Sequence, residues 1–321
     1  MAMDFQILIT NLSNPTLLFF LLGIIATYVK SDLEVPPTTS KFLSLYLLFA
    51  IGFRGGQELA HEQFNTEIAL SMLFGLIIAA LIPLYTFFIL KRKLNIYDAG
   101  AIAAAYGSVS AVTFVSASTF LDMQQLTFDG HMVAIMALME SPAIIAGVIL
   151  IRQFDTARAT EGRMRDIVKH SLTNGSVLMI MGSLLIGVVA DVKQAEGIKP
   201  FTNDIFKGFL AIFLLEMGMV TAKRFQAFVR QGWFVVLFAI VVPAINGCVV
   251  AWASGWITPH EGNRFLFAVL AASASYIAVP ASMRLIAPQA DPGLYIPMAL
   301  GVTFPFNITV GMPLYMAVIR A

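Results

Sequence analysis

The sequence predicts an all-α integral membrane protein: ten transmembrane helices arranged as two inverted five-helix repeats. Three observations lead there. Of 321 residues, 58% are hydrophobic and only 12% charged, where a soluble domain carries roughly 25% charged residues. Long runs contain no Asp, Glu, Lys or Arg. Several features recur, in order, at a nearly constant offset along the chain.

A membrane-spanning helix needs about 20 mostly apolar residues. The first such run is 5–29. A second segment, about 41–58, has a shorter clean stretch. Runs at 68–90 and 99–121 give the third and fourth, and 132–151, broken only by Glu140, gives the fifth. The sixth is 171–190 and the seventh, again short, is about 207–222. The last three are 231–260, 265–283 and 292–319.

Loop charge sets the orientation. With the N-terminus outside, the inside segments hold Lys30, Lys41, Lys91, Arg92, Lys93, Arg152, Arg158, Arg163, Arg165, Lys169, Lys223, Arg224, Arg230 and Arg284. The outside segments hold only Arg54, Lys193, Lys199, Lys207, Arg264 and Arg320. Basic residues collect on the inner side, so an even number of crossings leaves both termini outside. The expected location is a bacterial cytoplasmic (inner) membrane.

The recurrences divide the chain. Ser108-Val109-Ser110 in the fourth segment answers Ser273-Ala274-Ser275 in the ninth, 273 − 108 = 165 residues later. Gly52 matches Gly218, Gly130 matches Gly293, and Pro142 matches Pro305. The predicted organisation is a first repeat over 1–151, a cytoplasmic linker over 152–170 and a second repeat over 171–321. Five crossings is an odd number, so the second repeat enters from the opposite face. Inverted repeats of this kind organise secondary transporters, with the binding site at the midplane between them.

The two Ser-x-Ser segments are the predicted site. Within hydrocarbon, a helix break is tolerated only where the freed backbone groups face protein or a cavity. Gly107 and Pro280 are expected to make the breaks. Two half-helix N-termini would then meet at the midplane and hold a small anion without a buried Lys or Arg. Ser-x-Ser also occurs simply where helices pack closely; its repetition beside Gly107 and Pro280 favours the site. The substrate-binding set is Gly107, Ser108, Ser110, Thr113, Ser273, Ser275 and Tyr276. Glu140 and Glu216 are the acids inside predicted spans, and intramembrane carboxylates are functional candidates. Glu140, before Ser141-Pro142, suits a sodium ion or a proton, whereas Glu216 is expected near a helix end.

Other chemistry is not signalled. His61, His131, His170 and His260 have no metal-ligand spacing, and no nucleotide-binding glycine motif occurs, so no cofactor is expected. The net charge of +1 gives no reason to expect a nucleic-acid partner, and the single cysteine, Cys248, excludes an internal disulfide. No nucleophile or metal accompanies the carboxylates, so the chain is not expected to be an enzyme. The lipid bilayer and a small anion are the expected partners. Alternatives are a proton- or sodium-coupled carrier of another small anion such as a short carboxylate, and, from another class, a membrane-embedded ligand sensor or an enzyme using Glu140.

The chain resembles the sodium-dependent bicarbonate transporter family of cyanobacterial type and its bacterial relatives. The likeness runs through Asn14-Pro15-Thr16-Leu17, Leu33-Glu34-Val35-Pro36, Ile51-Gly52-Phe53-Arg54-Gly55-Gly56, Asp98-Ala99 and Gly107-Ser108-Val109-Ser110. It continues through Ala271-Ala272-Ser273-Ala274-Ser275, Pro280 and Asp291-Pro292-Gly293-Leu294-Tyr295-Ile296. The resemblance implies a homotrimer, with a gate domain of helices 1, 2, 6 and 7 and a core domain of the rest. It implies bicarbonate at broken, crossing helices 4 and 9, elevator-like sodium symport, and a PII-like regulatory protein on the cytoplasmic side. Carried over, Ser108, Ser110 and Thr113 line one half-site and Ser273 and Ser275 the other. Ser110, Thr113, Glu140 and Ser275 are the expected sodium set. The chain departs from the family at Ala111-Val112, where Gly-Ser is usual, at Tyr276, where Asp is usual, and at Ala278 and Val279, where Ser and Gly are usual.

Overall fold

In a computed structural model of the protein, the described residues are 15–155, 169, 173, 175–229 and 232–321. The linker expected at 152–170 falls mostly outside them, as does the basic cluster Arg158, Arg163 and Arg165.

All regular structure among the described residues is helical. The helices are α1 (Pro15–Tyr28), α2 (Pro37–Leu59), α3 (Thr66–Leu90), α4 (Ile96–Gly107), α5 (Ala111–Met123) and α6 (His131–Phe154). There follow α7 (Gly175–Val189), the short α8 (Val192–Glu196), α9 (Phe206–Val229), α10 (Trp233–Ala253), α11 (Glu261–Ala272) and α12 (Ala278–Ile286). The last segment is built from α13 (Pro292–Pro297), α14 (Phe304–Phe306) and α15 (Met312–Ile319), joined by wider π turns at Met298–Thr303 and Asn307–Gly311. Among the described residues, six stretches are long and apolar enough to cross a membrane: Thr66–Leu90, Ile96–Met123, His131–Phe154, Pro200–Lys223, Trp233–Trp256 and Pro292–Ile319. Leu18–Tyr28 and Gly175–Val189 are shorter apolar helices.

Local chemistry explains where these helices begin. Pro37 starts α2 at a position where no N–H is needed. The Asn65 side chain caps α3 through Ile68 N–H at 2.9 Å, and Asn95 caps α4 through Tyr97 and Asp98 N–H at 3.0 and 2.9 Å. Asp291 caps α13 through Gly293 N–H at 2.7 Å. In each case a side-chain oxygen takes an N–H that has no partner within the helix.

Two helix pairs make backbone-to-backbone contact through glycine. A Cβ on Gly23 of α1 would lie 2.0 Å from Leu215 O of α9, and one on Gly218 of α9 would lie 2.0 Å from Phe20 O of α1. The α2–α7 pair has the same construction: a Cβ on Gly56 would lie 2.1 Å from Leu184 O, and one on Gly187 would lie 2.3 Å from Phe53 O. Beside these pairs, α3, α4 and α6 pack together, as do α10, α11 and α15.

Polar contacts gather the connections into two ends. At one end Lys91 lies over the Phe154 ring at 3.8 Å, Tyr97 donates to Asp155 at 3.0 Å, and Asp291 N–H donates to Asp98 at 2.7 Å. At the other, His131 Nδ1 and Glu62 lie 2.8 Å apart, and Lys207 and Asp122 lie 3.8 Å apart. There too Asn263 and Asp129 exchange two hydrogen bonds, of 2.6 and 2.9 Å, and Arg320 meets Glu261 at 3.3 Å. The loops joined by these contacts at each end are ones that the charge pattern assigns to a common side.

Candidate functional site

The site grows from two helix interruptions. The first lies at 108–110, between α4 and α5. The second lies at 273–277, between α11 and α12. They are bound to each other: Ser110 N–H donates to Ser273 Oγ at 3.0 Å, and Ser275 N–H donates to Ala105 O at 2.8 Å. The two middle serines have matching roles. Ser110 Oγ accepts Thr113 N–H at 3.2 Å, and Ser275 Oγ accepts Val279 N–H at 3.4 Å. Each serine thus gives its own N–H across to the other interrupted segment, Ser110 to the second break and Ser275 to the last turn of α4, and its hydroxyl to the half-helix that follows it.

The carbonyls released at the end of α11 have side-chain partners. Asn307 Nδ2 donates to Ala272 O at 2.8 Å, and Asn246 Nδ2 donates to Ala271 O at 3.3 Å. Asn307 in turn accepts from Tyr315 at 2.8 Å, and Tyr85 donates to Asn246 Oδ1. These bonds matter because an unpaired buried carbonyl has no water to turn to. Nothing in the sequence reading singled out Asn246 or Asn307. The available signal was their position as amides deep in runs free of charge.

A cavity of about 30 Å³ lies against the two interruptions, where one water occupies about 10–15 Å³ on the same measure. Ser110, Ser275, Tyr276 and Glu140 line it, with Ser44 of α2 and Ser176 of α7 on the opposite wall. Most of the remaining lining is aliphatic, and no Lys or Arg contributes. The first turn of α5, at Ala111 and Val112, and the start of α12, at Ile277 and Ala278, also face it. The positive ends of two half-helices therefore converge on one small space, which favours a small anion, with the Glu140 carboxyl on its lining.

The predicted substrate and ion residues divide into two groups. Ser110, Ser275, Tyr276 and Glu140 share the cavity; Gly107, Ser108, Thr113 and Ser273 stand behind it. Gly107 is required by packing, since a Cβ there would lie 2.2 Å from Pro83 Cγ of α3. Ser108 is fully buried and its hydroxyl has no hydrogen-bond partner among the described residues. Thr113 is fixed through its N–H by Ser110, and Ser273 donates to Leu270 O at 2.9 Å while bridging to Ser110. Tyr276 packs its buried hydroxyl toward Ser110 without a hydrogen bond of normal geometry.

Three expectations change. Pro280 does not make the second break: it sits in the first turn of α12, where proline's missing N–H is of little consequence. The break comes earlier, at 273–277. Glu216 does not lie near a helix end. It is buried within α9, where Ser40 of α2 donates to its Oε1. Pro305 does not repeat the setting of Pro142, which lies inside the continuous helix α6; Pro305 lies between two π turns. Among the described residues no group of His, Cys, Asp and Glu could hold a metal ion.

The family model of the Na+-dependent bicarbonate transporter superfamily matches residues 15–320. The chain belongs to that superfamily. No curated protein matches it.

Proposed function

We propose that this superfamily member is a secondary transporter importing bicarbonate with sodium, and that its anion site is the cavity where the two helix interruptions meet. The observation that carries this is the pair of mirrored serines, Ser110 and Ser275. Each offers its hydroxyl to a half-helix that follows it, and both half-helices begin against the same small space. A monovalent anion entering an inside-negative cell works against about 2.3 kcal/mol per 100 mV. One sodium ion moving with it cancels that term. Ser110 and Ser275 hydroxyls and the Glu140 carboxylate, which share the cavity, are the oxygen ligands we assign to sodium. Thr113 supports that set through Ser110.

On this reading the chain crosses the membrane ten times, in two inverted repeats. The reciprocal glycine contacts of α1 with α9 and of α2 with α7 support the repeat, because each pair joins one half of the chain to the other in the same way. Those four helices form the gate. The helices around the interruptions form the core, which slides past the gate to carry the anion across.

The test is uptake of radiolabelled bicarbonate into proteoliposomes with and without an inward sodium gradient. Stimulation by the gradient is expected. Uptake that ignores sodium, or no uptake, overturns the sodium-coupled reading.

A further inference from the structure

We propose that Glu216, buried within α9, is a proton-binding site, so that each transport cycle carries a proton together with the anion. This rests on the transport reading above.

The argument begins with burial. Glu216 lies within α9 and is only 8% exposed. Its Oε1 accepts from Ser40, in the first turn of α2, while its Oε2 is sealed from solvent with no hydrogen-bond partner among the described residues. The Tyr276 hydroxyl, at the second helix break, is likewise buried without a hydrogen bond of normal geometry.

A buried ionised carboxylate needs a cation or several donors, and here a single hydroxyl, that of Ser40, donates. Among the described residues, the titratable and charged groups on the elements packed against α9 are Tyr28 on α1, Lys41, Tyr46, Arg54 and Glu58 on α2, Asp204 in the turn 200–204 and Tyr295 on α13. Lys41, Tyr28 and Asp204 are exposed, Tyr46 donates to Phe201 O, and Arg54 and Glu58 line a separate pocket with Asn203 and Lys207 at the start of α9. No Lys or Arg pairs with Glu216 among the described residues. A proton on Oε2 resolves the conflict: the acid keeps its carbonyl oxygen for Ser40 and carries no charge. When the core shifts, water reaches Oε2. The O–H bond of the acid then breaks, its proton passes to that water, and a proton from water on the opposite side restores the acid in the return state.

The experiment uses the full-length protein in lipid. Infrared spectroscopy reads the carbonyl stretch of protonated carboxyl groups and its shift in heavy water, in the native protein, Glu216→Gln and Glu140→Gln. The amide of Glu216→Gln still accepts from Ser40, so folding should survive. A protonated-acid band that Glu216→Gln removes and Glu140→Gln leaves in place supports the proposal. A band unchanged in Glu216→Gln overturns it, and this readout stands even if the anion is not bicarbonate. The second arm fixes external pH and sodium and varies internal pH during bicarbonate uptake. With one proton per anion, the initial rate of uptake above that of protein-free liposomes should rise as the interior is made more alkaline, and Glu216→Gln should abolish that dependence. A native initial rate that follows sodium but ignores the pH gradient overturns the proposal.

Discussion

Ser110 and Ser273, 163 positions apart in sequence, are joined by a 3.0 Å hydrogen bond from the backbone N–H of the first to the hydroxyl of the second. That bond fixes the two helix interruptions against each other. It explains why a membrane helix can break here at all: the freed N–H of one break is satisfied by the other.

Ser110 also caps α5, and loss of such a cap costs about 0.5–2 kcal/mol. Ser110→Ala should therefore lower thermal stability by that order and raise the apparent KM for the anion, because a hydroxyl leaves the cavity. Thermal unfolding and concentration-dependent uptake check both.

Asn307→Leu leaves the Ala272 carbonyl and the Tyr315 hydroxyl without their amide partner. Loss of a buried partner costs about 1–3 kcal/mol. The thermal midpoint should fall, and more than in Asn246→Leu, whose bond to Ala271 O is longer at 3.3 Å.

Gly218→Ala places a Cβ 2.0 Å from Phe20 O and must force α1 and α9 apart. Overpacking of this kind costs about 1–3 kcal/mol. Gly182→Ala, where nothing lies within 4 Å of the new Cβ, is the control. It should be neutral or slightly stabilising, because alanine is the better helix former.

Asp129 and Asn263 exchange bonds of 2.9 and 2.6 Å. A double-mutant cycle with Asp129→Ala and Asn263→Ala should give a coupling energy of about 0.5–3 kcal/mol. No measurable coupling would mean that this clamp between α11 and the start of α6 is not formed in the membrane.

The membrane class and the Ser-x-Ser breaks were legible because both follow from composition: uncharged length for the spans, small polar residues for the breaks. Gly52 and Gly218, paired by their offset in the sequence, both lie where a neighbouring backbone leaves no room for a Cβ. Asn246 and Asn307 escaped notice because the spans were found by the absence of charge, and a neutral amide does not interrupt such a run. Its role appears only once the end of α11 is known to need donors. Glu216 was misplaced because its span has short clean stretches, so the helix looked shorter than α9 is. Pro280 looked like a breaker because sequence alone does not distinguish a proline inside a helix from one in its first turn.

The most direct measurement is sodium-driven uptake of radiolabelled bicarbonate by proteoliposomes containing the native protein, Ser110→Leu or Ser275→Leu, with folding verified by size-exclusion chromatography and circular dichroism. Sodium-stimulated uptake in the native protein, lost in both folded variants, is the predicted result. Uptake in either leucine variant equal to the native level would contradict the assignment of the anion to the paired helix interruptions.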